Sequence, residues 1–300
     1  MNAGGKTTSI AILGAGYVGA ELARLVIARR WRVAALTRNP EKADALRALG
    51  CERVVEADIA SEAWSEEMHG PFSFVVNCVS PGGGGIEGYR RSCVAGMNSV
   101  GVWLATMPAG TVVYTSSTGV YPQGDGARVD ESALTETGEG SGGLLREAES
   151  ILESAANAAG WRWFALRLAG IYGPGRHHVL DQLRSGGTLR GDSEVRLNLI
   201  HRDDVCAAIL ACLESQRGVA PGIFNLSDNS PHSRGEVAAW IARELGLPEP
   251  RFDDAPAPNP FGRRRTPDRV IVANRIHKEI GWSPRHPDFR SGFGEILGGG

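Results

Sequence analysis

The chain has 300 residues, 42% of them hydrophobic and 22% charged, with a formal net charge of −2. That composition belongs to a globular protein with a sizeable core and excludes a disordered chain, a collagen-like repeat and a disulfide-stapled miniature. The balanced charge offers no polybasic footprint for nucleic acid, no apolar run reaches the ~18 residues of a membrane helix, and the polar start (Met1 to Thr8) lacks a secretory pattern, so the expectation is a cytoplasmic protein with no membrane or nucleic-acid partner.

From Ser9 onward short β-branched runs alternate with longer helical stretches. Strands are predicted at Ser9 to Leu13, Arg32 to Thr37, Arg53 to Glu56, Phe72 to Cys78, Thr111 to Thr115, Arg162 to Leu168 and Gly222 to Leu226. Helices are predicted at Val18 to Arg30, Pro40 to Leu49, Glu87 to Thr106, Leu144 to Ala159 and Asp203 to Glu214. Strict alternation requires a parallel sheet, because parallel neighbours need a crossover helix. The predicted class is α/β, a doubly wound Rossmann sheet over residues 1–168 completed by elements within 199–228. Residues 169–198 and 229–300 are expected to form a small substrate lobe. That lobe carries helices at Arg234 to Leu245 and Asn274 to Ile280 around a Pro-rich stretch that includes Pro256, Pro258 and Pro260. Five scattered cysteines (Cys51, Cys78, Cys93, Cys206, Cys212) form no Cys-x-x-Cys and read as reduced, packed thiols.

Gly14-Ala15-Gly16-Tyr17-Val18-Gly19 lies between the first strand and the first helix. In that setting Gly14 allows the tight turn, Gly16 lets the backbone approach a pyrophosphate, and Gly19 lets the helix pack close to the strand. The helix N-terminus, from Tyr17 and Val18 on, offers free N–H groups to phosphate. The second strand ends in Thr37-Arg38, where an NAD-binding chain places an acid on the ribose hydroxyls. A hydroxyl and a guanidinium suit a 2′-phosphate, so NADP is the predicted cofactor, with NAD as the alternative. Asp58-Ile59 follows the third strand, where the carboxylate can either meet an adenine amino group or cap the helix ahead. Gly5-Lys6-Thr7 only mimics the end of a phosphate-binding loop, since no strand or glycine precedes it at the required spacing.

These blocks, together with Thr115-Ser116-Ser117-Thr118-Gly119-Val120-Tyr121, Arg167 to Arg176, Asn198 to Val205 and Ile280 to Pro284, resemble the extended short-chain dehydrogenase/reductases, the NAD-dependent epimerase/dehydratase proteins. The resemblance runs from about residue 9 to 297. It implies cofactor contacts at Cys78, Val79, Ser80, Thr115 and Ala169, a catalytic Ser117, and a nucleotide-sugar or small carbonyl or hydroxyl substrate, with Arg176 a candidate for a substrate diphosphate. It also implies a Tyr-x-x-x-Lys pair, in which the phenol is the acid/base and neighbouring positive charge lowers its pKa.

That pair is missing. The five tyrosines, Tyr17, Tyr89, Tyr114, Tyr121 and Tyr172, are followed four positions on by Glu21, Cys93, Thr118, Asp125 and Arg176, and the only lysines are Lys6, Lys42 and Lys278. Counting back from Glu149, which resembles the family's helix acid, the two positions fall on Ser141 and Leu145. This resembles the family's atypical branch. Three readings stay open: an oxidoreductase or epimerase with a relocated acid/base (Tyr121, Tyr172 or His177-His178), a catalytically silent NADP(H)-binding sensor, or hydride transfer with solvent supplying the proton. Asp203-Asp204 reads as a helix cap at Asp204 rather than a metal pair, so no metal is predicted. Arg184 and Arg263 to Arg265 are further anion candidates, and the helix Glu87 to Thr106 resembles the family's dimerisation helix, which makes a homodimer the expected assembly.

Overall fold

The computed structural model describes residues 8–61, 63–186, 188–253 and 267–298. The strands β1 (Ser9–Leu13), β2 (Arg32–Thr37), β3 (Arg53–Glu56), β4 (Phe74–Asn77) and β5 (Thr111–Ser117) join strands Arg162–Leu168 and Gly222–Leu226 in one sheet. Its order is Gly222–Leu226, Arg162–Leu168, β5, β4, β1, β2, β3, with every neighbouring pair parallel. Both faces are covered, and successive residues serve opposite cores. Ala11 and Leu13 pack on one side while Ile10 and Ile12 pack on the other, and Val75 and Val76 divide the same way. The order reverses between β1 and β4, which opens a crevice above their C-terminal ends.

On one face lie α1 (Tyr17–Ala28) and helix Arg202–Glu214; on the other lie helices Gly96–Leu104 and Ser141–Ala158. A third cluster, with Leu180, Leu189, Val237, Ile241, Phe289 and Phe293, is the core of the C-terminal lobe. Short strand pairs tie the lobe down: Gly170–Tyr172 beside Leu199–His201, and Ala127–Val129 beside Arg269–Ile271.

Several elements differ from the sequence reading. The predicted helix Glu87 to Thr106 is α-helical at Gly85–Tyr89, widens into a π-turn at Arg90–Ala95, and resumes as Gly96–Leu104. The helix predicted from Leu144 starts at Ser141, and a further helix, Phe289–Gly298, closes the chain. β5 runs two residues past Thr115, which carries Ser117 to the end of the sheet. Gly5-Lys6-Thr7, Pro256, Pro258, Pro260 and Arg263 to Arg265 lie outside the described residues. Among those described, no helix is long and apolar enough to cross a membrane.

Candidate functional site

The crevice holds a cavity of about 420 Å³ whose wall includes Gly14, Gly16, Thr37, Arg38, Ile59, Cys78, Val79 and Ser80. Each glycine of the first turn has a separate steric reason. Gly14 has φ +82°, and a Cβ there would lie 2.6 Å from Val79 N, so only glycine lets the turn press against the end of β4. At Gly19 a Cβ would meet Gly14 O at 2.7 Å, which would push α1 off the strand. In front of Gly16 the space is open, with nothing nearer than Gly14 O at 4.0 Å. Open space before a backbone at a helix N-terminus fits an incoming pyrophosphate. Val18 and Gly19 themselves are buried beneath the turn.

The far end of the cavity is basic. Arg38 donates from Nη1 to Asp58 Oδ2 at 3.1 Å, and Arg91 Nε reaches the same oxygen at 3.1 Å. Asp58 Oδ1 accepts from Ala60 N at 2.8 Å. Burial pushes the Asp58 carboxyl up, but the Ala60 N–H and Arg38 outweigh it and hold the group below its ordinary value. The carboxylate is thus engaged by two guanidiniums and an Asx turn. Lys42 also lines the cavity, on the first turn of α2 (Pro40–Leu49), where Asn39 Oδ1 accepts from Lys42 N at 2.8 Å. Lys42, Asn39 and Ser92 were not singled out from sequence as part of this site. Lys42 stands four residues after Arg38 across a capping Asn39-Pro40, and that spacing is a readable signal. Ser92 arrives through the π-turn, for which the sequence carries none.

At the middle of the crevice Asn77 Oδ1 accepts from Val79 N at 3.0 Å and fixes the end of β4. Thr115 Oγ1 donates to Asn77 O at 3.3 Å, and Ala169 N donates to Leu226 O at 2.9 Å, so both belong to the floor. Burial pushes the Cys78 thiol up to about 12, which leaves it a neutral wall. Ser117 Oγ accepts from Gly119 N at 3.0 Å, and its O–H remains a donor. Tyr17 donates its hydroxyl to Pro174 O at 3.0 Å, and its ring carries Arg176 at 5.5 Å and Arg202 at 5.3 Å. This stacking brings Arg176 to the cofactor turn.

The two tyrosine candidates stand in the packing. Tyr121 is 1% exposed, accepts from Arg167 Nη1 at 2.8 Å and donates to Asn225 Oδ1 at 2.8 Å. Tyr172 is 4% exposed, stacked on Phe293 with centroids 4.8 Å apart. Burial raises both phenols above their ordinary value, the reverse of what an acid/base near neutrality needs. His177 pairs with Asp181 at 2.7 Å, and His178 opens the short helix His178–Arg184.

The positions where the family pair belongs are closed from within. Ser141 opens its helix and Leu145 is buried. A Cβ on Gly142 would strike the Glu136 carboxylate and stand 2.8 Å from Gly119 O, and one on Gly143 would strike Gly138 O. The glycines therefore let the loop before the helix fold onto its first turn. Glu149 sits deeper, accepting from Ser116 Oγ at 2.7 Å and from Arg167 Nε and Nη2 at 3.0 and 2.7 Å.

The expected Asp204 cap is corrected by the structure. Helix Arg202–Glu214 starts three residues earlier than a cap at 204 requires, and His201 caps it, with Nδ1 accepting from Asp203 N at 3.4 Å. Asp204 instead accepts from Arg285 N at 2.7 Å and His286 N at 3.0 Å and so anchors the lobe.

Comparison with known proteins places this geometry. The chain is 29% identical to protein YeeZ of Escherichia coli K12 over 285 residues, covering 93% of this chain and 96% of that protein. It is 30% identical over 165 residues to a 3-diazoavenalumate denitrifying reductase of a Streptomyces species, about half of each chain. Among solved structures, the dTDP-glucose 4,6-dehydratase DesIV of Streptomyces venezuelae with NAD and TYD bound superposes with a TM-score of 0.82 at 19% identity, over 97% of this chain and 96% of that one, which establishes the shared fold. A sequence profile of the NAD dependent epimerase/dehydratase family matches residues 10–227, and the chain belongs to that family.

Proposed function

We propose that the chain is an NADP(H)-dependent oxidoreductase that reduces a small or sugar-like acceptor, with NADPH preferred over NADH. The observation that carries this reading is one cavity with open space before Gly16 at one end and Arg38 and Lys42 at the other. Two guanidiniums share the single Asp58 carboxylate there, which leaves a positive balance suited to a 2′-phosphate. Gly16 and the N–H groups of α1 would hold the pyrophosphate, and Arg38 and Lys42 the 2′-phosphate. When bound, the nicotinamide supplies or accepts a hydride.

The protein's own contribution at the reacting end is orientation. Gly119 N fixes Ser117 Oγ, so the Ser117 O–H donates to an acceptor oxygen and steadies it as negative charge develops. The Tyr121 and Tyr172 phenols are withdrawn into the packing, so the proton that balances the hydride comes from solvent relayed at Ser117. Arg176, stacked on Tyr17, would take an anionic part of the substrate. The relative named as a reductase supports reduction, and the dehydratase complex supports a dinucleotide in this crevice.

The same burial of both tyrosines favours a second reading, a silent NADP(H)-binding sensor. The experiment is to follow NADPH absorbance with purified protein against simple ketones, keto-sugar nucleotides and aryl diazo compounds, for wild type and Ser117→Ala. Turnover that falls on the order of 100-fold in Ser117→Ala supports the oxidoreductase. Tight NADPH binding with no turnover across the panel replaces it with the sensor.

A further inference from the structure

Beneath the crevice, where helix Arg202–Glu214 meets the C-terminal segment, lies a buried polar knot that hydride transfer does not use. His201, Asp204 and His286 are 1%, 2% and 3% exposed. One ligating atom from each lies within 4.8 Å of the others. The two imidazole rings are 4.0 Å apart, and His286 Nδ1 is 2.7 Å from Asp204 Oδ2. The second observation is independent of that clustering. Among the described residues, His201 Nε2, the Tyr172 hydroxyl and Asp228 Oδ2 are buried without a hydrogen-bond partner. An orphaned polar atom in a protein interior is costly, and the unpartnered His201 Nε2 beside Asp204 and His286 fits a further ligand at this point.

We infer that His201, Asp204 and His286 bind a divalent transition-metal ion, with zinc the best match. Two imidazoles and one carboxylate are a zinc donor set, whereas calcium and magnesium demand mostly oxygen. His201 would ligate through Nε2, since Nδ1 faces Asp203 N, and His286 through Nδ1, since Nε2 meets Glu295 Oε2 at 3.0 Å. Donor atoms around tetrahedral zinc stand about 3.4 Å apart. The His286 to Asp204 contact therefore opens slightly, and the His201 ring moves in by about 1 Å. The proton on His201 moves to Nδ1 at the cost of the contact with Asp203 N, which at 3.4 Å is a weak one.

The supporting groups are already in place. Glu295 accepts from His286 Nε2 and orients the ring, and Arg285 N holds Asp204 Oδ1. Among the described residues Asp204 pairs with His286 and with no arginine or lysine, so a dication at this point would add counter-charge to a buried carboxylate. The ligands come from the end of strand Leu199–His201, from the helix and from the segment after Pro284. The ion would therefore clamp the lobe to the Rossmann sheet as a structural clip.

The test uses tag-free full-length protein stripped with chelator and reloaded with Zn²⁺ or Co²⁺, read by metal content after gel filtration, by Co²⁺ absorption and by unfolding temperature. The expected result is one retained ion per chain, a tetrahedral Co²⁺ spectrum, a higher midpoint with zinc, and loss of all three in His201→Gln and His286→Gln. NADPH affinity, measured separately, keeps the outcome distinct from that of the cofactor reading. If a variant fails to fold, the wild-type stoichiometry and imidazole coordination by X-ray absorption decide. Retention far below one ion per chain, or equal retention in both variants, overturns the site and leaves a hydrogen-bonded knot.

Discussion

In the proposed cofactor site Gly16 and Arg38 stand at opposite ends, and each can be tested without disturbing the fold. A Cβ at Gly16 meets nothing nearer than Gly14 O at 4.0 Å, so Gly16→Ala is expected to change the unfolding temperature little. The same change would intrude on the place proposed for the pyrophosphate, and NADPH affinity is expected to fall about 10–100-fold, the loss of one or two charge-assisted hydrogen bonds. Calorimetry and thermal unfolding on one sample read both. Tyr121 is the converse case. Tyr121→Phe strips a hydroxyl that serves Arg167 and Asn225, leaving buried partners unsatisfied. The expected effect is a stability loss of about 1–3 kcal/mol in denaturant unfolding, with NADPH affinity unchanged. A cofactor or turnover defect at intact stability would return Tyr121 to the reacting centre.

At the scale of elements, strands were more legible than helix starts. β1, β2, β3, Arg162–Leu168 and Gly222–Leu226 announce themselves as short β-branched or apolar runs, and the structure has them at the same bounds. The start of helix Ser141–Ala158 is hidden because Gly142 and Gly143 weaken local propensity, while their real use is a close approach to the loop at Gly138. The Arg90–Ala95 π-turn and the helix Phe289–Gly298 depend on tertiary packing, which no local pattern encodes. Glu131 links two elements across the sheet edge, accepting from Asn225 N at 2.7 Å. Its burial raises the carboxyl above the ordinary 4.5. A raised acid holds its proton longer in the folded state, so its contribution is full below the unfolded pKa and is lost as pH rises through the folded one. Glu131→Gln keeps the acceptor and removes the titration. Its unfolding temperature relative to wild type is expected to climb with pH above about 4.5 and then level off. A difference that is flat across the range contradicts the assignment.

For the whole molecule, the sequence carried the doubly wound sheet, the glycine turn and the absence of the tyrosine–lysine pair. The cavity shows why Arg38 is placed as it is, because it meets Asp58, just after β3, whose carboxylate also takes Arg91 from the π-turn. Those contacts span 20 and 33 residues of chain, and no spacing rule reports them. The knot at His201, Asp204 and His286 was illegible for the same reason, since Asp204 reads locally as a cap and its partner lies 82 positions away. The central claim is that this crevice binds a dinucleotide with its 2′-phosphate on Arg38. The most direct measurement is a calorimetric titration of wild type and Arg38→Ala with NADPH and with NADH. The account predicts NADPH tighter than NADH by about 10–100-fold in wild type, and a variant in which that preference collapses while NADH affinity holds. Equal affinities in wild type, or a preference that survives Arg38→Ala, would contradict it.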